Sequence, residues 1–349
     1  MNKYYTRACN FYYGTVSKKN IKIKKSVSLN GLEEISFDKI EIINRKKTKI
    51  INVKDINKLP INLKNKVIKD LKNIKKKKIL NKLSLSDIPI LMGIVNLTPD
   101  SFSDGGKYNK KHLAINHINN LISNGAKIID LGGESTRPGA NDINPIKEWD
   151  RIKLVLKLLK KKKCFVSLDT RKSFVMKKAF KIKIDLLNDV SGLNYDPDTV
   201  EFLKKTKKPF VIHHMKGIPK NMQIKPSYKN VLLDIYDFFE AKLNYLRIKG
   251  IKHNNIILDP GIGFGKNLKH NITLLKNISI FHSLGLPIML GLSRKRFIKD
   301  ISKKNDSKER LGGTISSCIQ SYLQGVQILR VHDVKEVNQA FKVFKTLQN

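Results

Sequence analysis

The sequence predicts an α/β fold, a (β/α)8 TIM barrel preceded by a small α+β N-terminal extension. Three observations carry that expectation. From residue 88 onward eight short apolar runs alternate with amphipathic stretches, and a polar or glycine-bearing segment follows each run. The first 87 residues differ in texture, with alternating segments and denser basic charge. β-then-α repeated eight times in about 260 residues is the pattern of a closed barrel, and a doubly wound open sheet is the competing topology.

The elements follow in chain order. In the extension, residues 26–29, 35–43 and 48–53 alternate with period two and read as strands of a small sheet, whereas the stretch before them mixes Lys, Asn and Tyr without a continuous apolar run. After Pro60, apolar Leu63, Val67, Leu71 and Ile74 recur at helical spacing, which describes an amphipathic helix whose solvated basic face includes Lys75 to Lys78. The boundary is placed near Leu83 to Asp87, giving a basic appendage at 1–87 and a catalytic barrel at 88–349. Barrel strands are expected near 90–95, 127–131, 165–168, 186–188, 209–213, 255–258, 287–291 and 328–331. Helices are expected at Lys111 to Ser123, Pro145 to Leu159, Tyr228 to Lys249, Asn267 to Phe281 and Glu309 to Gln324, with a last one after Asp333.

Composition narrows the class. Hydrophobic residues make up 40% of 349, enough for a sizeable core, and no apolar run nears the ~18 residues of a bilayer span, so no membrane role is expected. Neither a secretory signal nor an organelle transit peptide is legible at the N-terminus. Cys9, Cys164 and Cys318 cannot all pair, which argues for a reducing compartment and a cytoplasmic address. The 69 basic against 29 acidic residues give +40, the electrostatic footprint of a nucleic-acid binder. Most are Lys scattered among abundant Asn and Ile, as compositional drift would produce, so nucleic acid is not expected as a partner. The alternative surface for it is residues 1–87, where Phe11, Tyr12 and Tyr13 stand near basic groups.

In such a barrel the reactive groups lie at the carboxyl ends of the strands. The eight exits carry Asn96, Glu134 to Arg137, Asp169, Asn188, His213 with His214, Asp259, Ser293 with Lys295, and Arg330 with His332. The first loop, Asn96 to Gly106, is long and rich in short polar side chains, suited to closing over a substrate. The second, Gly132 to Gly139, offers glycines for close backbone approach and an Arg suited to bidentate anion contact. Leu258 to Lys266 puts a carboxylate at a strand end before glycines spaced neither as a dinucleotide fingerprint nor as a Walker loop. Asp169, Asn188 and Asp259 supply acceptors and amides, while Lys295, Arg330 and His332 supply donors at the last two strands, the side where barrels commonly hold phosphate. That division implies a heterocycle carrying phosphate. Adjacent His213 and His214 should point to opposite faces of their strand, which argues against a shared metal.

The segments Asn96 to Gly106, Asp130 to Ala140, Leu168 to Arg171, Asn188 to Gly192, Leu258 to Lys266, Gly291 to Lys295 and Arg330 to Asp333 together resemble the dihydropteroate synthase family of folate biosynthesis, over residues 88–349. The resemblance implies condensation of 6-hydroxymethyl-7,8-dihydropterin diphosphate with p-aminobenzoate, giving 7,8-dihydropteroate and pyrophosphate. It implies that Asp169, Asn188, Asp259 and Lys295 hold the pterin, that Arg330 and His332 grip the diphosphate, and that Asn96 helps position Mg²⁺. Thr136, Arg137, Phe102, Phe264 and Ser293 would shape the p-aminobenzoate side, with Asp104 and Arg137 on the two loops that close the site. It further implies a homodimer, sulfonamides as competitors, and an apolar residue where His213 stands. The extension is a departure, since a minimal synthase lacks it. A pterin-dependent methyltransferase and an inactive synthase-like paralogue are the alternatives in the same fold.

Overall fold

The computed structural model describes residues 3–81, 83–98, 107–135, 139–251 and 253–348, the side chains of 107–111 and 253 excepted. The extension is built on β3 (Leu32–Ile43), the longest strand of a four-stranded antiparallel sheet. β1 (Tyr5–Tyr13) pairs along one edge of β3, and β2 (Val27–Leu29) and β4 (Thr48–Asn52) share the other. α1 (Gly14–Lys22) follows β1, and α2 (Ile61–Lys75) follows Pro60 as its spacing requires, burying Val67 and Ile74.

The barrel strands are β5 (Ile90–Asn96), β6 (Ile128–Gly132), β7 (Phe165–Asp169), β8 (Leu186–Asp189), β9 (Phe210–His213), β10 (Ile256–Asp259), β11 (Met289–Gly291) and β12 (Ile328–Val331). All pairings among them are parallel, in the order β10, β9, β8, β7, β6, β5, β12, β11, and a bridge between Leu258 and Ile288 joins the two ends. The sheet is therefore closed, and the open doubly wound alternative is excluded. Between the strands run α3 (Lys107–Ser123), α4 (Pro145–Leu159), α5 (Ser173–Phe180), α6 (Asp198–Thr206), α7 (Val231–Ile248), α8 (Leu268–Lys276), α9 (Arg296–Ser302) and α10 (Leu311–Tyr322), and α11 (Val334–Gln348) ends the described chain.

Two apolar clusters hold the molecule. The smaller lies inside the barrel, where Met92, Ile128, Leu186, Val211, Ile257, Met289 and Ile328 meet Leu80, Leu83 and Leu85, so the segment entering the barrel also plugs its amino-terminal end. The larger runs between sheet and helices and continues without a break into Tyr5, Phe37, Ile40, Val67 and Ile74 of the extension. Polar contacts reinforce this joint. Tyr5 donates its hydroxyl hydrogen to Asp237 at 2.9 Å, Arg45 bridges Asp234 and Asp237 at 2.8 and 2.7 Å, and Ser279 Oγ donates to the Ala8 carbonyl at 2.9 Å.

The structure departs from the sequence reading in several places. β1 was hidden because Asn10, at φ +57°, interrupts its alternation. The short helices α5, α6 and α9 were not marked, and the helix expected to reach Phe281 stops at Lys276, giving way to a 3-10 turn over Ile278–Leu284. Lys78, assigned to a solvated face, is buried, with Nζ 2.5 Å from the Asn73 carbonyl and the imidazole of His282 nearby.

Burial pushes the Lys78 ammonium down from 10.5 to about 7, with Lys76 adding repulsion. From about pH 7 to 10.5 the unfolded chain binds a proton that the native chain releases, so this group makes stability rise with pH across that window. Lys78→Met is therefore expected to stabilise the fold at pH 7 by roughly 1–3 kcal/mol and to flatten that rise. Thermal unfolding of both proteins from pH 6 to 10 checks it, and an unchanged slope would count against it.

Candidate active site

Strand alternation builds the site. Ile128, Leu186, Val211, Ile257, Met289 and Ile328 face the barrel interior, so the residue two positions later in each strand faces the same way, one layer nearer the carboxyl end. Those positions are Asp130, Asn188, His213, Asp259, Gly291 and Arg330, joined by Asp169 from β7. Register agrees, for Asp169 pairs with Asn188, His213 with Asp259, and Gly291 with Arg330. An apolar layer thus supports a polar one, and the polar one opens to the mouth.

Arg330 is the centre of the charge. Its Nε donates to Asp130 Oδ2 at 2.6 Å and its Nη2 to Asp169 Oδ2 at 2.7 Å, while Asn188 Nδ2 donates to the same Asp130 oxygen at 3.2 Å. One cation thus serves two buried carboxyl groups. Asp130 Oδ1, Asp169 Oδ1 and Asn188 Oδ1 are buried without a hydrogen-bond partner among the described residues. Three orphaned acceptors at one barrel mouth are costly unless a ligand bearing N–H groups satisfies them. Burial holds the Asp169 carboxyl above its ordinary range against the attraction of Arg330, and Asp130 adds to the rise.

Asp259 faces the same cavity. Its Oδ1 accepts the Gly261 N–H at 2.8 Å, and Gly261 sits at φ +68° with no room for a side chain, since a Cβ would lie 2.0 Å from the His214 carbonyl oxygen. Burial raises the Asp259 carboxyl above its usual value although Gly261 and Lys295 oppose the shift. Burial likewise lowers the Lys295 ammonium, which Asp259 in part restores. Lys295 Nζ lies 4.2 Å from the centroid of the Phe264 ring, a cation–π contact. Asn188, His213, Asp259, Phe264, Gly291, Lys295 and Arg330 line one cavity at the barrel mouth.

The remaining candidates fall around this rim. Ser293 Oγ accepts the His332 backbone N–H at 3.3 Å and lies 3.4 Å from Asp333, which also pairs with Arg294. Asn96 ends β5 beside Gly132, which in turn pairs with Asp169. Phe102, Asp104, Thr136 and Arg137 lie outside the described residues. Glu134 and Arg171, both in segments singled out from the sequence, are committed to each other at 2.9 Å, and Lys172 bridges Glu134 and Glu148 at 2.6 and 2.8 Å. This buried ionic cluster ties the second loop to the third and takes these side chains out of the cavity. His214 points away from its neighbour, as alternation requires, and takes a hydrogen bond from the buried Lys266 at 3.0 Å. Asp130 was missed as a site residue. Its signal was present, an acid in the middle of the apolar run Ile128-Ile-Asp-Leu at an inward position.

A closed (β/α)8 barrel with opposed acids and cations converging on its carboxyl mouth defines an enzyme that binds a compact polar ligand. The sequence matches the pterin binding enzyme family over residues 92–332, and the chain belongs to that family. It is 42% identical over 267 residues to the dihydropteroate synthase of Neisseria meningitidis serogroup B (strain ATCC BAA-335 / MC58), covering 75% of this chain and 93% of that one. Among solved structures it is similar to Yersinia pestis dihydropteroate synthase in a sulfonamide drug complex, with TM-score 0.72 and 39% identity over 77% of this chain and 98% of that one. It is also similar to the Xanthomonas albilineans dihydropteroate synthase with 4-aminobenzoic acid, with TM-score 0.71 and 34% identity over 76% and 95%.

Proposed function

We propose that this chain is a dihydropteroate synthase, a transferase that joins 6-hydroxymethyl-7,8-dihydropterin diphosphate to p-aminobenzoate, with its catalytic barrel at 88–349 and residues 1–87 as an appendage. The observation that carries this reading is the single cavity in which Asn188 and Asp259 face Lys295 and Arg330. Asp259 accepts from the amino and ring N–H edge of the pterin, the orphaned oxygens of Asp169 and Asn188 face a further N–H of the ring, and Lys295 donates to its acceptors. Arg330 keeps Nη1 for the diphosphate, with His332 beside it. Ser293 and Phe264 border the p-aminobenzoate side, which the loops carrying Phe102, Asp104, Thr136 and Arg137 complete.

The aniline nitrogen is neutral near pH 7, so the reaction needs no strong base before attack. The bond between the pterin methylene carbon and the diphosphate oxygen breaks, its electron pair leaving with pyrophosphate, while the nitrogen lone pair forms the new C–N bond and one proton is released. Positive charge developing on the pterin is stabilised by the buried carboxylates, and the departing charge by Arg330, which is catalysis by preorganised electrostatics and alignment.

Among the described residues no group of three or more His, Cys, Asp or Glu could hold a metal. The single amide oxygen of Asn96 fits an ion that takes most of its shell from water and phosphate, as Mg²⁺ does. Asn96 would hold it, and when bound it would neutralise charge on the phosphates. A cytoplasmic homodimer belongs to the same reading, as do sulfonamides as competitors of p-aminobenzoate, supported by the sulfonamide complex of the Yersinia pestis relative. No helix among the described residues is long and apolar enough to cross a membrane. Mixing the purified chain with the pterin diphosphate, p-aminobenzoate and Mg²⁺ tests the proposal. Dihydropteroate and pyrophosphate in equal amounts are expected, and absence of both products would overturn it.

A further inference from the structure

His213 belongs to the inward polar layer, and the reaction above gives it no task. It ends β9 in register with Asp259 and is almost fully buried. Its Nδ1 lies 3.0 Å from the Val190 carbonyl oxygen. A carbonyl only accepts, so Nδ1 carries the hydrogen. Burial, with Lys266 and Lys295 close by, holds the imidazole well below its ordinary value and hence neutral. In that tautomer Nε2 has a lone pair and no hydrogen.

Nothing among the described residues bonds to Nε2, although His213 lines the cavity with Asn188, Asp259 and Lys295. The ring is also locked in place. It meets Phe264 edge-on, with centroids 4.6 Å apart and an interplanar angle of 84°, and the absent Cβ of Gly261 would fall 2.9 Å from its Cε1. An oriented acceptor with no protein partner, opening onto a ligand cavity, is a recognition group, because a ligand that displaces its water must replace that hydrogen bond.

We infer that His213 is a specificity-determining residue of the pterin subsite, its Nε2 accepting a hydrogen bond from an N–H of the bound heterocycle. This rests on the synthase reading, and it adds an acceptor to the pterin side while leaving the p-aminobenzoate side alone. The test is steady-state kinetics of the wild-type protein, His213→Met and His213→Gln, varying each substrate in turn, with calorimetric binding of 6-hydroxymethyl-7,8-dihydropterin. Methionine removes the acceptor at similar bulk and should raise KM and Kd for the pterin about tenfold, the value of one hydrogen bond. KM for p-aminobenzoate and kcat should stay within about twofold, and glutamine, which restores an acceptor oxygen, should recover part of the pterin affinity. A wild-type protein that turns over both substrates, with a methionine variant that binds pterin equally well, overturns the role of His213 alone. Parallel losses for both substrates with no rescue by glutamine also overturn it, in favour of a packing role. A wild-type protein without turnover overturns the synthase reading and this inference with it.

Discussion

Arg330→Ala is expected to be the most damaging single change in the barrel, lowering kcat/KM by at least about a hundredfold and destabilising the fold by about 3–5 kcal/mol. The reason is geometric. Arg330 is the hydrogen-bonded cation between Asp130 and Asp169, both buried, at 2.6 and 2.7 Å. Removing it takes away the charge that opposes the burial-raised shift of the Asp169 carboxyl, so that carboxyl rises further. The sign of the pH dependence follows. A carboxyl raised further in the native state favours folding at low pH and loses that stability as pH rises through its native value. The gap in unfolding free energy between the wild-type protein and the variant should therefore be smallest near pH 4 and widen toward pH 8. Asp130→Asn placed on top of Arg330→Ala should recover stability without recovering turnover. Denaturant unfolding of the three proteins at several pH values, beside a pyrophosphate-release assay, separates the two effects, and a pH-independent gap would contradict the account.

The barrel was legible because a parallel strand buried on both faces is a compact apolar run, and a polar or glycine-bearing segment followed each of the eight runs. Pro145 to Leu159 coincides with α4, where Asn144 accepts the Ile146 N–H and proline occupies the first turn. Short helices such as α5, eight residues long, gave too few turns for periodicity to register. The site was legible at strand ends and less so within strands. Asp169, Asn188 and Asp259 close apolar runs and were picked out, whereas Asp130 sits inside one. Glu134 and Arg171 show the opposite problem. Type and position suit them to a ligand, and only the geometry of their mutual pairing shows that they brace the loops instead.

The extension was legible as a sheet and helix but not as part of the core. Val67 and Ile74 read as the apolar stripe of a helix in an appendage and Tyr5 carried no signal, yet all three share one apolar cluster with Phe281 and Leu243. The amino-terminal plug had no legible function before the barrel was closed. Leu80, Leu83 and Leu85 are three leucines among polar neighbours, and only the open lower end of a closed sheet gives them something to fill.

Asp259→Asn is the complementary expectation, a large functional loss with little structural cost. Burial raises the Asp259 carboxyl, so its ionised form is unfavourable in the free protein, and the carboxylate is kept there against the preference of the fold. Asparagine has nearly the same shape and can still accept the Gly261 N–H, so unfolding free energy at pH 7 should hold or rise. Toward the pterin the change is severe. A carboxylate accepts two parallel N–H bonds, whereas the amide offers one oxygen and turns an NH2 group toward a second donor. A site built to pair a substrate N–H and left mispaired discriminates strongly, and pterin affinity should fall at least about a hundredfold while KM for p-aminobenzoate stays within about twofold. In the wild-type protein the affinity should climb with pH as the raised carboxyl ionises and then level off, and in the variant that climb should vanish. Calorimetric titration of 6-hydroxymethyl-7,8-dihydropterin from pH 5 to 8 measures both, and a variant that bound pterin within about threefold of the wild-type value would remove Asp259 from the heterocycle edge.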